Sequence, residues 1–311
     1  MGPAALSATL PKVADWRDNR LMPPTVFPPN VTATPHSRVV FVDVDGTLLD
    51  HSQVLDQTTL LAIRAARERG HLVFLATGRA LKNVPQQVMD IGFDGAITNG
   101  GGSVWVGDQE LFERTLTEQE ADRLFTYFDQ EGINYMVQTT GTSYISEGFV
   151  DSVRDLELAL AAQGTKEEDL AILKWVSSFP PVSGLDRRTA TKAVFNSPDP
   201  ETVTKAREAL GDLFHVVDGS IRTSLGTTGE LGPKGITKGA AIELVLDHLG
   251  VDPERAIGIG DSFNDVEMFD VVGTAVAMDN AEPELKERAD LVTTGVDNHG
   301  VQNALRTLNL I

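Results

Sequence analysis

Val39-Val40-Phe41-Val42-Asp43-Val44-Asp45-Gly46-Thr47-Leu48-Leu49-Asp50 is the stretch around which this chain is organised. A run of β-branched and aromatic residues ends abruptly in two carboxylates, a glycine and a hydroxyl. The unbroken apolar run predicts a parallel strand buried on both faces, where alternation is not needed. Gly46 lets the chain leave that strand sharply. Asp43 and Asp45 would point the same way if the strand persisted. Two carboxylates crowded at a strand end repel each other, and one pKa rises unless a cation sits between them. The arrangement predicts a divalent metal, and magnesium suits an all-oxygen site.

The same pattern recurs outward from this strand. Asp56 and Thr58 can start a helix that runs to Arg69 and stops at Gly70. A second apolar strand, His71 to Ala76, ends in Thr77-Gly78-Arg79, and a short helix follows near Leu81 to Ile91. A third strand, Gly95 to Asn99, is closed by Gly100, Gly101 and Gly102. Strand-helix-strand-helix-strand with short links predicts a right-handed parallel sheet. From about Val104 the pattern changes to short strands mixed with helices. A hairpin is expected over Val104 to Phe112, and helices over Thr117 to Gln130, Val150 to Ala162 and Pro200 to Leu210. Strands are expected at Tyr135 to Gln138, Ser143 to Ser146, Ala193 to Asn196, His215 to Val217 and Ile221 to Ser224.

The sheet pattern then resumes. Thr237 to Leu249 carries Ile242, Val245, Leu246 and Leu249 on one helical stripe, with Gly250 after it. Ala256 to Gly260 is a fourth buried strand ending in Asp261, and Thr274 to Met278 and Leu291 to Thr293 are further strands. The expected fold is α/β: a doubly wound parallel sheet over 38–103 and 231–311, with an inserted α+β domain over 104–230. Residues 1–37 contain Pro23, Pro24, Pro28, Pro29 and Pro35 and read as a flexible arm. Trp16, Leu21 and Phe27 are the residues that could pin that arm to the domain.

Composition narrows the partners. With 45 acidic against 26 basic residues the formal net charge is -19, whereas nucleic acid and anionic membranes need a cationic face. An anionic substrate therefore needs local cations that outweigh the global field. The absence of cysteine excludes disulfides, zinc-thiolate sites and cysteine nucleophiles. No apolar stretch approaches the length of a membrane span, and no secretory signal opens the chain, so the cytoplasm is the expected compartment. Gly258-x-Gly260-x-x-Phe263 lacks the last glycine of a dinucleotide fingerprint, and no Gly-Lys pair exists to form a P-loop. A calcium loop starting at Asp43 fails at Leu48 and Val54, where glycine and glutamate are required.

Polar clusters remain at Asp43-x-Asp45, Thr77-Gly78-Arg79, Lys238 and Gly260-Asp261-Ser262-Phe263-Asn264-Asp265. A single Asp after a strand is usually a turn or a helix cap. Three strands ending this way would instead converge on one crevice at the carboxyl edge of the sheet. The set suits phosphoryl transfer, which depends on positioning and charge neutralisation. One aspartate can attack phosphorus, a second carboxyl can move the proton, and a hydroxyl and a lysine can hold the other oxygens.

Asp43-Val44-Asp45-Gly46-Thr47 resembles the first motif of the haloacid dehalogenase superfamily of phosphohydrolases. Leu75-Ala76-Thr77-Gly78-Arg79, Gly235-Ile236-Thr237-Lys238-Gly239 and Gly258 to Asp265 resemble its later motifs as they occur in the Cof-type branch. The resemblance covers the chain from about Arg38 onward. It implies Asp43 as nucleophile and Asp45 as general acid/base. It implies magnesium on the Asp43 carboxylate, the Asp45 carbonyl and the Asp261 carboxylate. Thr77, Gly78, Lys238 and Asn264 would bind the phosphoryl group, and Asp265 would orient Lys238 or a water beside the metal rather than bind the metal directly. Arg79 would either contact phosphate or form an ion pair under the loop, the second being favoured. Lys234 competes with Lys238 but does not open the helix. The inserted region would be a mobile C2-type α/β cap.

The expected activity is a magnesium-dependent phosphomonoesterase acting through an aspartyl-phosphate on a small phosphorylated metabolite. A sugar phosphate is favoured, with phosphorylated cofactors such as FMN or pyridoxal phosphate open. A narrower sucrose-phosphate or mannosyl-phosphoglycerate phosphatase is a variant of that expectation. A non-catalytic binding or regulatory protein on the same fold is the alternative. Oligomeric state is not legible.

Overall fold

The computed structural model describes residues 27–151, 153, 154, 176, 178–219 and 227–311. The chain first forms β1 (Val39–Val42), α1 (Gln57–Glu68), β2 (Leu72–Ala76), α2 (Gln86–Met89), β3 (Gly95–Thr98), β4 (Ser103–Val106) and β5 (Gln109–Glu113). It continues through α3 (Glu118–Glu131), β6 (Asn134–Thr139), β7 (Ser143–Ile145), β8 (Ala190–Ser197), α4 (Thr202–Leu210), β9 (Phe214–Asp218) and β10 (Thr227–Pro233). It ends with α5 (Lys238–Leu249), β11 (Ala256–Gly260), α6 (Val266–Val271), β12 (Thr274–Ala277), α7 (Pro283–Arg288), β13 (Leu291–Val292) and α8 (Gly300–Thr307).

These strands build two sheets. The larger has eight strands in the order β13-β12-β11-β1-β2-β3-β4-β5. Its pairs from β13 to β3 are parallel, and β4 and β5 add antiparallel at one edge. From β1 the chain builds outward to β2 and β3 on one side and later to β11, β12 and β13 on the other. The order therefore reverses at β1, and a crevice opens at the carboxyl ends of β1 and β11. The smaller, inserted sheet is antiparallel with five strands in the order β7-β6-β8-β10-β9.

β1 is apolar throughout because both of its faces are covered. Val40 and Val42 share a core with Ala62, Ile63 and Ala66 of α1 and Val301, Ala304 and Leu305 of α8. Val39 and Phe41 share the opposite core with Ile242, Val245 and Leu246 of α5 and Met268 of α6. In the inserted sheet, Tyr135, Val137, Ala193, Phe195, Val216 and Leu231 bury against α3 and α4. Their alternate neighbours face the larger sheet and roof the crevice.

Several elements differ from the sequence reading for identifiable reasons. The hairpin β4–β5 belongs to the larger sheet, although the expected boundary at 104 placed it in the insertion. β10, which straddles the expected boundary at 231, lies in the smaller sheet and has no counterpart among the expected strands. Gly229, Gly232 and Pro233 hide it, being poor strand formers. Gly229 is required there, because the Phe195 ring packs where its Cβ would stand. The helix expected near Leu81 to Ile91 splits into a tight turn, Leu81–Asn83, and the short α2. Pro85 holds Val84 extended between them. Phe27 is 4% exposed within the core, and the carbonyls of Thr34, Pro35 and Ser37 accept from Arg255, so the segment 27–37 is anchored at both of its ends. Trp16, Leu21, the strand Ile221 to Ser224 and most of the helix Val150 to Ala162 lie outside the described residues.

Candidate active site

β1 ends at Val42, so Asp43 and Asp45 sit on a loop and need not share a direction. They diverge. Asp43 is buried, and its Oδ1 accepts from Lys238 Nζ at 2.6 Å. Asp45 instead meets Arg79 in a two-pronged ion pair, Nε to Oδ2 at 2.7 Å and Nη2 to Oδ1. Gln53 braces the fork by donating to Asp45 Oδ1 at 3.3 Å and accepting from Arg79.

Lys238 opens α5, which Thr237 caps by accepting from the Ala240 amide. Its ammonium donates to Asp43 and Asp265, each at 2.6 Å, and to Asn264 Oδ1 at 3.0 Å. All three donor positions are thereby used. Asp265 Oδ2 accepts from the amides of Asp261 and Ser262, fixing the loop after β11. Asp261 Oδ1 accepts from Thr47 Oγ1 at 3.0 Å. Gly46, at φ +84°, leaves room for the Asp261 carboxylate where a Cβ would collide with it.

Thr77 is buried, and its Oγ1 accepts from the Arg79 amide at 3.1 Å, so it is not on the crevice wall. Gly78 is on the wall. A Cβ there would stand 3.4 Å from Lys192 Nζ and 3.7 Å from Asn264 Nδ2. Of the two roles open to Arg79, the geometry contains the ion pair, supplemented by donation to the Asn83 carbonyl at 3.2 Å. Lys234 donates to the Gly211 carbonyl, away from the cluster.

The electrostatics are those of a site short of positive charge. Burial pushes the Asp43 carboxyl up to about 7, only partly opposed by Lys238 and aided by Asp265 and Asp45. Burial also raises Asp261 well above the carboxylate range, with Asp43 and Asp265 adding repulsion. For Asp45, burial is outweighed by the Arg79 charge together with the hydrogen bonds from Arg79 and Gln53, and its carboxyl is held below the ordinary value. For Lys238, burial is outweighed by Asp265 and Asp43, which hold the ammonium charged.

Asp43, Asp261 and Asp265 each offer an oxygen within 4.8 Å of the others, and one ammonium does not balance three carboxylates. The cluster can therefore hold a metal ion. Both Asp265 oxygens are already engaged by Lys238 and the loop amides, so Asp43 and Asp261 are the better-placed ligands. A hard divalent cation fits this all-oxygen set. A stability prediction follows from the sign of the Asp43 shift. A carboxyl raised on folding stabilises below its unfolded pKa of ~4, and that contribution is lost as pH rises towards about 7. In chelator, the thermal midpoint of the wild type should fall over this window more steeply than that of Asp43→Asn. Parallel profiles would contradict the assignment.

The inserted sheet contributes residues that sequence reasoning missed. Lys192 on β8 and Glu230 on β10 form a buried ion pair, Nζ to Oε2 at 2.5 Å, directly above Gly78. Beneath the roof, Asp43, Asp45, Gly78 and Asn264 help line a narrow crevice. His215 Nε2 on β9 lies 2.9 Å from Glu267 Oε1 on α6, joining roof to floor. The alternation Tyr135-Met136-Val137-Gln138 and Lys192-Ala193-Val194-Phe195 was the available signal, since it separates a core face from a second face. Gln53 carried no such signal, because it acts from a loop at φ 62°.

A chain that gathers carboxylates and one buried lysine at a switch point, then roofs them with a second sheet, falls among the capped α/β hydrolases. Residues 40–305 match the haloacid dehalogenase-like hydrolases, and the chain belongs to that family. It is 28% identical over 279 residues to the putative phosphatase YkrA of Bacillus subtilis (strain 168), covering 88% of this chain and 99% of YkrA. It is 28% identical over 276 residues to the 5-amino-6-(5-phospho-D-ribitylamino)uracil phosphatase YwtE of the same organism, covering 85% and 95%. Among solved structures, a protein of Geobacillus kaustophilus HTA426 superposes with a TM-score of 0.69 at 27% identity, covering 88% of this chain and all of that one (100%).

Proposed function

We propose that the chain is a magnesium-dependent phosphomonoesterase of the Cof-type branch with a C2-type α/β cap, hydrolysing a small phosphorylated metabolite. One observation carries it: Lys238 bridges Asp43 and Asp265 while Asp261 stands within 4.8 Å of both, at the switch point of the sheet. Magnesium on the Asp43 and Asp261 carboxylates and the Asp45 carbonyl would offset the charge of the phosphoryl oxygens. Asp43 attacks phosphorus, the bond to the leaving oxygen breaks, and Asp45 supplies that oxygen with a proton. Water then attacks the aspartyl-phosphate, gives its proton to Asp45, and frees Asp43 and phosphate. Gly78 and Asn264 hold the non-reacting oxygens, Lys238 joins them by releasing its 3.0 Å bond to Asn264 Oδ1, and the Thr77 hydroxyl stands behind Gly78.

The Arg79 fork bears on the order of these steps. Held ionised, Asp45 is ready as the base of the second step; to act as the acid of the first it must take up a proton, which requires Arg79 to release one of its oxygens. A sugar phosphate is the favoured substrate, and the ribityl phosphate in the name of YwtE is of kindred chemistry. The net charge of -19 weighs against nucleic acid as a partner. Among the described residues no helix is long and apolar enough to cross a membrane, and the cytoplasm is the proposed compartment.

The test is hydrolysis of p-nitrophenyl phosphate with magnesium and with chelator. Turnover that survives chelation overturns the metal requirement, and binding of phosphate esters without turnover favours a non-catalytic role. Asp45→Asn should lose turnover of alkyl phosphates by about 10²–10⁴-fold, the usual range for a general acid/base, while still binding magnesium. Lost magnesium binding in that variant would place the carboxylate, rather than the carbonyl, on the metal.

A further inference from the structure

We infer that Gln138 selects the leaving group, by offering a buried hydrogen-bond acceptor that a hydroxyl-bearing alcohol can satisfy and an apolar one cannot. The inference rests on the phosphatase reading and deepens it. Gln138 lies on β6, paired in register with Lys192 of β8. Met136 and Val194 are paired in the same two strands, and Val194 pairs with Glu230 of β10. Residues two apart share a face, so Met136, Gln138, Lys192, Val194, Thr228 and Glu230 form one surface. That surface lines the crevice holding Asp43 and Asp45, facing them from the inserted sheet.

Gln138 is 5% exposed, and its Oε1 is buried without a hydrogen-bond partner. Leaving such an acceptor unmade is costly, so a ligand that donates to it gains more than one that does not. Its surroundings make the requirement specific. Met136 and Val194 supply apolar contact, and the Lys192–Glu230 pair supplies charged polar edges on the neighbouring strands. A small carbon skeleton bearing several hydroxyls meets both demands. An alcohol of the same shape without hydroxyls leaves Gln138 unpaired after water has been expelled. Sites built around such buried polar groups discriminate strongly against analogues that lack the matching group.

The experiment compares two esters with magnesium present: D-glucose 6-phosphate and cyclohexylmethyl phosphate, which keeps the ring but carries no hydroxyl. Wild type should favour the sugar ester in kcat/KM. In Gln138→Leu that ratio should fall about 10–100-fold, mainly through KM of the sugar ester, as expected for one lost buried hydrogen bond. Gln138→Glu keeps an acceptor and should retain most of the ratio. An unchanged ratio in Gln138→Leu would mean that water, not substrate, satisfies Oε1, and it overturns the inference. So does an equal fall for both esters, which reports disturbed packing of the roof, or a wild type without preference. No turnover of either ester, or of p-nitrophenyl phosphate, by wild type overturns the phosphatase reading as well. That outcome is distinct from the preceding three.

Discussion

Asp43→Asn should lower turnover of a phosphate monoester by ~10⁴–10⁶-fold, the scale on which removal of a nucleophile acts in other hydrolases. The side chain keeps its shape and an oxygen that can accept from Lys238, so geometry is preserved while nucleophilicity is lost. The same change removes one of three crowded carboxylates from a buried cluster. Burial already raises the Asp43 carboxyl to about 7, so the folded protein carries its charge at a cost near neutral pH. The variant should therefore be at least as stable as wild type in chelator, and gain less stability from added magnesium. Steady-state turnover and thermal unfolding with and without the metal check both halves. Full activity would remove Asp43 from the nucleophile's role, and a large loss of stability in chelator would contradict the electrostatic account.

Lys238→Met should cost about 3–5 kcal/mol of stability at neutral pH, the range seen when one partner of a buried ion pair is removed. The ammonium is almost wholly enclosed, at 2% exposure, and is the common partner of Asp43, Asp265 and Asn264. Methionine fills similar space but leaves Asp43, Asp261 and Asp265 without their shared cation. Its raised pKa keeps Lys238 charged across the neutral range, so wild type does not lose the interaction there. In the variant, Asp43 and Asp261 can be neutralised by protonation as pH falls towards ~4, and the deficit should shrink on that side. Magnesium should recover part of it by binding the folded state. Urea unfolding at two pH values, with and without magnesium, measures each effect. A deficit below 1 kcal/mol at neutral pH, or one that grows on acidification, would show that Lys238 does not hold the cluster together.

Much of the architecture was legible because it rests on local rules. β1 could be recognised from Val39 to Val42, since a strand covered on both faces has no polar position to interrupt it. The helices α1 and α5 were readable from Asp56, Thr237 and Gly250, whose side chains or conformations close helix ends. β10 was not readable, because Gly229 and Pro233 serve contacts made across the sheet and not the propensity of their own segment. The hairpin β4–β5 was seen but assigned to the insertion, since a strand carries no mark of the sheet it joins.

The opening stretch separates the two kinds of information most clearly. By itself the sequence determined that Asp43 and Asp45 end a buried strand and that a cation must answer their charge, because burial and repulsion act whatever lies nearby. Only the tertiary structure decided which cation answers each. Asp43 takes Lys238, 195 residues away in sequence, and Asp45 takes Arg79, 34 residues away. The roof residues Gln138, Lys192 and Glu230 belong wholly to this second kind. Their place over Gly78 depends on how one sheet settles on another, which is set by contacts distant in sequence and not by spacing within a strand.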